Sequence, residues 1–189
     1  MSLVHRRQLM DAKRIDLALK RIAAQIVEHC PDLDKLALIG IRSGGIHPAN
    51  RIREFLKRSE ERDIPVGLVD ITLYRDDLAD GKAPHFGPTD LEFDIEDAYV
   101  VLIDDVLFTG RTLRAAMNVL MEYGRPALIR AAVLIDRREH RELPIQPDYW
   151  GQIVDTAREE KINVKVGPKK NRDDGVEVVL LVDPEEGPA

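Results

Sequence analysis

The run that most constrains this chain is residues 100–112, Val-Val-Leu-Ile-Asp-Asp-Val-Leu-Phe-Thr-Gly-Arg-Thr. Residues 99–103 are continuously apolar, as a strand covered on both faces requires. This strand delivers two adjacent carboxylates, Asp104 and Asp105, at its C-terminal end. Val106, Leu107 and Phe108 lead into a short loop. Gly110 then opens a helix that begins at about Thr112, with Leu113, Met117 and Leu120 at helical spacing. A buried strand, a loop and a helix in that order belong to an open α/β sheet, whose ligands sit outside the carboxyl ends of the strands.

The chemistry of the loop narrows the ligand. Thr109, Gly110, Arg111 and Thr112 offer backbone N–H groups, two hydroxyls and a guanidinium. Gly110 removes the Cβ that would block close approach, and the helix N-terminus adds a positive field. Together they form a cradle for a phosphate. The two aspartates repel a phosphate and need donors about one sugar away, which ribose hydroxyls supply. A sugar phosphate satisfies both halves of the run. The Gly-x-x-x-x-Gly-Lys-Ser/Thr loop of nucleotide triphosphatases is absent.

Elsewhere strands alternate with helices. Ile15, Leu19, Ile22 and Ile26 mark one face of an amphipathic helix that Pro31 and Asp32 end. Residues 36–41 read as a buried strand entering the tight loop Arg42-Ser43-Gly44-Gly45, and residues 49–55 as a helix with Ile52, Phe55 and Leu56 inward. Residues 66–73 read as a second strand. Residues 80–88 hold Gly81, Pro84, Gly87 and Pro88 and read as a loop. Gly124 and Pro126 stop the helix that follows the acidic pair, and residues 127–135 form another apolar strand. Residues 144–167 read as irregular and polar, 176–182 as a last strand and 183–189 as a disordered tail. The pattern predicts an α/β fold with a mostly parallel central sheet covered on both faces, in one domain spanning residues 1–182.

Composition sets limits. A chain of 189 residues suits one domain with a sizeable core, and 5% aromatic content leaves that core to aliphatic side chains. A net charge of -6 argues against non-specific coating of nucleic acid, though it leaves room for a local basic face. Cys30 is the only cysteine, so internal disulfides and multi-cysteine metal sites are excluded. It reads as a helix end and not a nucleophile. His29, His47 and His85 lack the spacing of a metal site, and Asp76 and Asp77 read as ordering a loop. The basic N-terminus has no apolar signal segment, and no apolar run reaches membrane-spanning length, so the expected compartment is the cytoplasm with no membrane partner.

The run 100–112 resembles the phosphoribosyl diphosphate signature of type I phosphoribosyltransferases. Three more stretches sharpen the likeness: Asp70-Ile71-Thr72-Leu73-Tyr74-Arg75-Asp76-Asp77-Leu78, Tyr123-Gly124-Arg125-Pro126, and His140-Arg141-Glu142-Leu143-Pro144-Ile145 followed by Pro147-Asp148-Tyr149. Over residues 9–180 the chain resembles the PyrR family, pyrimidine operon attenuators that also have uracil phosphoribosyltransferase activity.

The resemblance implies the type I phosphoribosyltransferase fold, a central mostly parallel sheet with a small hood drawn mainly from residues 137–167. It implies transfer of a phosphoribosyl group from phosphoribosyl diphosphate to N1 of uracil, giving UMP and diphosphate. Asp104 and Asp105 would hold the ribose hydroxyls, and Asp105 beneath the ring would stabilise the positive charge of a dissociative transition state. Residues 106–112 would carry the phosphate, with Thr109, Gly110, Arg111 and Thr112 on the 5-phosphate. Arg42, Ser43, Gly44 and Gly45 would meet the diphosphate. Tyr74 and Arg75 would begin a loop that closes and excludes water. The base would lie between Asp136, Arg137 and Ile162. Mg²⁺ would enter mainly on the substrate, with no dedicated protein ligands. The resemblance also implies UMP-responsive regulation through pyrimidine operon leader RNA, on a face of a homodimer or higher oligomer carrying Lys20, Arg21, His140 and Arg141.

The sequence departs from the family pattern in three places. Gly44 stands where a basic residue is usual in the diphosphate loop. Asp136-Arg137-Arg138-Glu139-His140 has an extra residue and lacks a glycine beside the expected base pocket. Gln146 and Gln152 replace basic residues, which lowers the phosphate contribution to RNA affinity. These departures keep two alternatives open: a nucleotide- and RNA-binding regulator with vestigial catalysis, and a transferase for a purine base. Trp150 is expected to pack the hood and not to stack a base.

Overall fold

The apolar runs form the strands of a five-stranded, all-parallel sheet. Its order is β3 (Val66–Val69), β2 (Leu36–Ile41), β4 (Tyr99–Leu107), β5 (Leu128–Asp136) and β6 (Tyr149–Ile153). The computed structural model describes residues 3–42, 44–71 and 89–182. Side chains alternate across each strand, so both faces acquire a core. Leu36, Leu38, Val101 and Ile103 join one cluster with Ile15, Leu19, Ile22 and Ile26 of α1 (Ala12–His29) and Ile52 and Leu56 of α2 (Ile46–Ser59). Ala37, Ile39, Val100 and Leu102 join the other, with Leu113, Ala116, Val119 and Leu120 of α3 (Arg111–Tyr123). The expected covered parallel sheet is present, and the strand at 36–41 has the expected bounds.

A second sheet is antiparallel, in the order β1 (Leu3–Asp11), β8 (Gly175–Val182), β7 (Lys161–Lys165). Leu9, Met10, Val176 and Val178 extend into the α1–α2 core, so the two sheets share one apolar interior. Arg51 lies between Asp16 at 3.3 Å and Asp174 at 2.7 Å, all three buried. Asp174 also accepts from the N–H groups of Gly167 and Asn171. This cluster fastens the approach to β8 onto the two helices.

Several expectations are corrected. Residues 144–167 are not irregular: they hold β6, the edge of the main sheet, and β7. β6 was hidden by Gly151 and by burial of Tyr149 alone, and β7 by its alternating, half-buried pattern with lysines outward. The span 137–167 therefore gives the second sheet one strand, while residues from both ends of the chain give the other two. Trp150 lies on the main-sheet edge and is 37% exposed. The second helix starts at Ile46, before the expected 49, and β4 runs four residues past Ile103. Expectations for Tyr74, Arg75, Asp76, Asp77, His85, the loop at 80–88 and the tail at 183–189 lie outside the described residues, as does Ser43.

Candidate active site

The chain leaves β2 through α2 toward β3 on one side, and leaves β4 through α3 toward β5 on the other. Neighbouring strands whose connections diverge open a crevice at their carboxyl ends. The acidic pair stands at this point. Asp104 and Asp105 lie inside β4, so hydrogen bonding of the strand holds their backbone in register with β5. Asp104 is buried and accepts from the N–H of Asp105 at 2.9 Å. Burial pushes the Asp105 carboxyl above its ordinary range, and hydrogen bonds from the Val106 backbone, Asp104 and its own backbone offset part of that rise.

The loop after β2 presses against this carboxylate. A Cβ on Gly44 would fall inside contact distance of the Asp105 carboxyl atoms, and one on Gly45 would run into the carbonyl oxygen of Ile103. Glycine at 44 and 45 thus lets the loop close on the end of β4. Arg42 is held at the base of the loop: its N–H donates to the Val69 carbonyl, and its Nε lies 3.1 Å from Asp70.

Beyond the acids, Gly110 has a φ of 94°, a left-handed conformation that favours glycine, and it stands at the start of α3 without a side-chain cap. The first-turn N–H groups of Thr112 and Leu113 have no intrahelical acceptor, as at any helix start. The Thr109 hydroxyl accepts from the N–H of Arg111 at 3.4 Å. The loop is braced from behind by the 140–145 stretch: N–H groups of Glu142 and Leu143 donate to the Thr109 carbonyl at 3.0 and 3.2 Å. Glu142 bridges Arg111, at 2.9 Å, and Arg158, and these two cations hold its carboxyl below the usual range.

Arg141, expected on an RNA-binding face, turns inward. Its side chain is 9% exposed. Its guanidinium donates to the carbonyls of Leu107, Phe108, Arg137 and Ile145 and pairs with the fully buried Asp136. It supports the loop from inside. His140 is half-buried: its Nε2 is 2.6 Å from the Thr156 carbonyl and its ring tilts against Phe108. Lys20 is half-exposed and pairs with Asp16 at 3.1 Å, and Arg21 is exposed and donates to the carbonyls of Trp150 and Gly151. The four residues expected on one basic face therefore differ: two lie on the surface of α1, and two brace the site.

Asp136 ends β5 and Arg137 follows it, its N–H donating to the Leu107 carbonyl at the end of β4. Arg137 is buried, lies 4.0 Å over the Phe108 ring and donates to the Thr156 hydroxyl and the Ala157 carbonyl. Burial pulls its guanidinium below the ordinary value, with Glu160 opposing. Ile162 instead lies in β7 opposite Val178 and packs on the α1–α2 core; Thr156 and Ala157 are the residues that meet Arg137. Sequence reading missed Glu142, Thr156 and Phe108 as partners, although Glu142 stands inside the 140–145 stretch it singled out. Among the described residues no His, Cys, Asp and Glu cluster could hold a metal ion, and no helix is long and apolar enough to cross a membrane.

This geometry has relatives. The family model described as the phosphoribosyl transferase domain matches residues 5–170. Proteins named bifunctional protein PyrR are 47% identical in Acetivibrio thermocellus, over 98% of each chain, and 52% identical in Geobacter sulfurreducens, over 82% of this chain and 88% of that one. A hypoxanthine-guanine phosphoribosyltransferase from Bacillus anthracis has the same fold, with a TM-score of 0.70 at 18% identity over 93% of this chain and 99% of that one. The hypoxanthine phosphoribosyltransferase of Trypanosoma cruzi aligns with a TM-score of 0.68 at 20% identity, over 94% and 97%. With the acidic pair at the sheet's crevice, the glycine-opened helix behind it and such likeness along nearly its whole length, the chain belongs to the PyrR family of phosphoribosyl transferase domain proteins.

Proposed function

We propose that the protein transfers the phosphoribosyl group of phosphoribosyl diphosphate to N1 of uracil, releasing diphosphate, and that UMP tunes its binding to pyrimidine operon leader RNA. The observation that carries this reading is the 47% identity with a bifunctional PyrR protein over 98% of both chains. The acidic pair followed by the α3 N-terminus supplies the chemistry. Asp104 and Asp105 accept from the ribose hydroxyls, and Asp105 opposes the positive charge that builds on the ribose ring. Residues 106–112 take the 5-phosphate, with the first-turn N–H groups of α3 aimed at it. Arg42, Ser43, Gly44, Gly45 and Arg75 serve the diphosphate.

On the base side Arg137 acts as a positioning residue, because its guanidinium is committed to Thr156, Ala157 and the Phe108 ring. Asp136 Oδ2 has Arg138 Nε at 3.5 Å, and it is the polar atom on that side left without a hydrogen bond among the described residues.

The residues fit Mg²⁺ carried on the substrate: two adjacent carboxylates, Asp104 and Asp105, stand near the end of β4, and among the described residues no cluster of His, Cys, Asp and Glu would hold the ion on its own. The ion would neutralise the departing diphosphate through substrate oxygens and water.

The test is UMP formation from uracil, phosphoribosyl diphosphate and Mg²⁺, with hypoxanthine, guanine and adenine in parallel. Turnover on uracil alone is expected; turnover on a purine would overturn the base assignment. A second reading, a regulator with weak transfer, is favoured by Gly44, which brings no charge to the diphosphate and touches Asp105. UMP binding without turnover on any base would select it.

A further inference from the structure

Trp150 is the only tryptophan in the chain and is 37% exposed on the open edge of the main sheet. Neighbouring strand residues face opposite ways. A Cβ on Gly151 would meet Ala18 of α1, so Trp150 projects to the other side. The Arg138 guanidinium lies over its ring at 5.7 Å. Arg138 belongs to the stretch 137–139 in which the sequence departs from the family pattern. Gln152 shares the face of Trp150 and provides amide donors and acceptors two residues along.

Two arginines lie against the Trp150 segment. Arg138 has Asp136 at 3.5 Å, but that carboxylate is fully buried and already binds Arg141. Arg21 reaches the carbonyls of Trp150 and Gly151 and has no carboxylate partner among the described residues. An exposed aromatic ring topped by arginine, with a second guanidinium bound to its backbone carbonyls, suits a planar group tied to an anionic chain. Unpaired nucleobases stack on such surfaces while arginines meet the phosphates.

We propose that Trp150 and Arg138 form a stacking platform for an unpaired base of bound RNA, with Arg21 contributing to the backbone contact. The platform rests on the RNA-binding part of the function proposed above and gives it a location. Trp150 lies two strands from the acidic pair, with β5 between them, and is not among the residues assigned to transfer, so the two activities can be read separately.

The sole tryptophan makes the experiment direct. The full chain is titrated with a fluorescein-labelled RNA hairpin that has an unpaired loop, with a paired duplex of equal length as control. Tryptophan emission and label anisotropy are followed together. Hairpin binding should quench Trp150, and Trp150→Ala should weaken it about tenfold or more while UMP formation stays unchanged. Trp150→Phe, which keeps a ring and guards against misfolding, should retain most of the affinity. Arg138→Gln should lower the slope of log affinity against log salt by about one. Hairpin binding that neither quenches Trp150 nor responds to Trp150→Ala would overturn the platform and leave RNA binding standing elsewhere. No binding of either RNA by the wild-type chain would overturn both. If Trp150→Ala instead shifts the sedimentation coefficient with RNA affinity unchanged, the ring belongs to an interface between copies and the platform is overturned.

Discussion

At the scale of single residues, the two loop glycines resemble each other in sequence and differ in consequence. A methyl on Gly44 meets the end of the Asp105 side chain, which can rotate aside; a methyl on Gly45 meets the backbone of Ile103, which cannot. Gly44→Ala should therefore leave stability within about 0.5 kcal/mol and cut kcat/KM for UMP formation by up to about a hundredfold, through a carboxylate displaced from its place. Gly45→Ala should cost about 1–3 kcal/mol in urea unfolding. Asp105 carries its own trade. Its folded carboxyl titrates above the ordinary 3.8, so it is protonated in both states at lower pH, and the cost of burying the charge appears as pH rises through the folded value. Asp105→Asn should thus raise neutral-pH stability by on the order of 1 kcal/mol, with the gain vanishing below pH 3.8, while UMP formation collapses. Comparing unfolding curves at acid and neutral pH checks the sign. The acids and Gly110 were legible in the sequence because their chemistry is local. The pressure of Gly44 on Asp105 was not, because it joins the loop after β2 to a residue of β4, far apart in the chain.

At the scale of elements, the loop between β4 and α3 depends on a segment that follows β5. Arg141 ties the carbonyls of Leu107 and Phe108 to the buried carboxylate of Asp136. Removing it leaves that charge without its main partner, and breaking a buried pair from one side costs about 3–5 kcal/mol. Arg141→Ala should show that loss in chemical denaturation, together with a higher KM for phosphoribosyl diphosphate. A surface role would move neither. The sequence pointed to residues 140–145 as distinctive but not to the direction of the arginine, since an arginine in a polar stretch looks the same whether it faces water or a carboxylate. The strands of 149–153 and 161–165 escaped for a related reason. An edge strand and a half-buried strand lack the continuous apolar run that announced β2, β4 and β5.

At the scale of the whole molecule, the Asp16–Arg51–Asp174 cluster joins the helices of the main sheet to the second sheet. Burial raises the Asp16 carboxyl, yet Lys20 and Lys170 outweigh it and hold it below its ordinary range. Arg51→Ala leaves the buried Asp174 carboxylate without its cation and Asp16 with Lys20 and Lys170 alone, and should destabilise by about 3–5 kcal/mol. Arg51→Met, together with Asp16→Asn and Asp174→Asn, should recover much of the loss. Circular dichroism melts of the single and triple variants test this. The alternation of strands and helices announced the main sheet, but the second sheet was illegible as a unit, because its strands come from opposite ends of the chain.

Those pairings bear on how the molecule is made. β1 precedes every strand of the main sheet in the chain, and it pairs along its length with β8, the last strand described. The five parallel strands are all synthesised by residue 153, so the catalytic crevice can assemble on a nascent chain while β1 still waits for its partner.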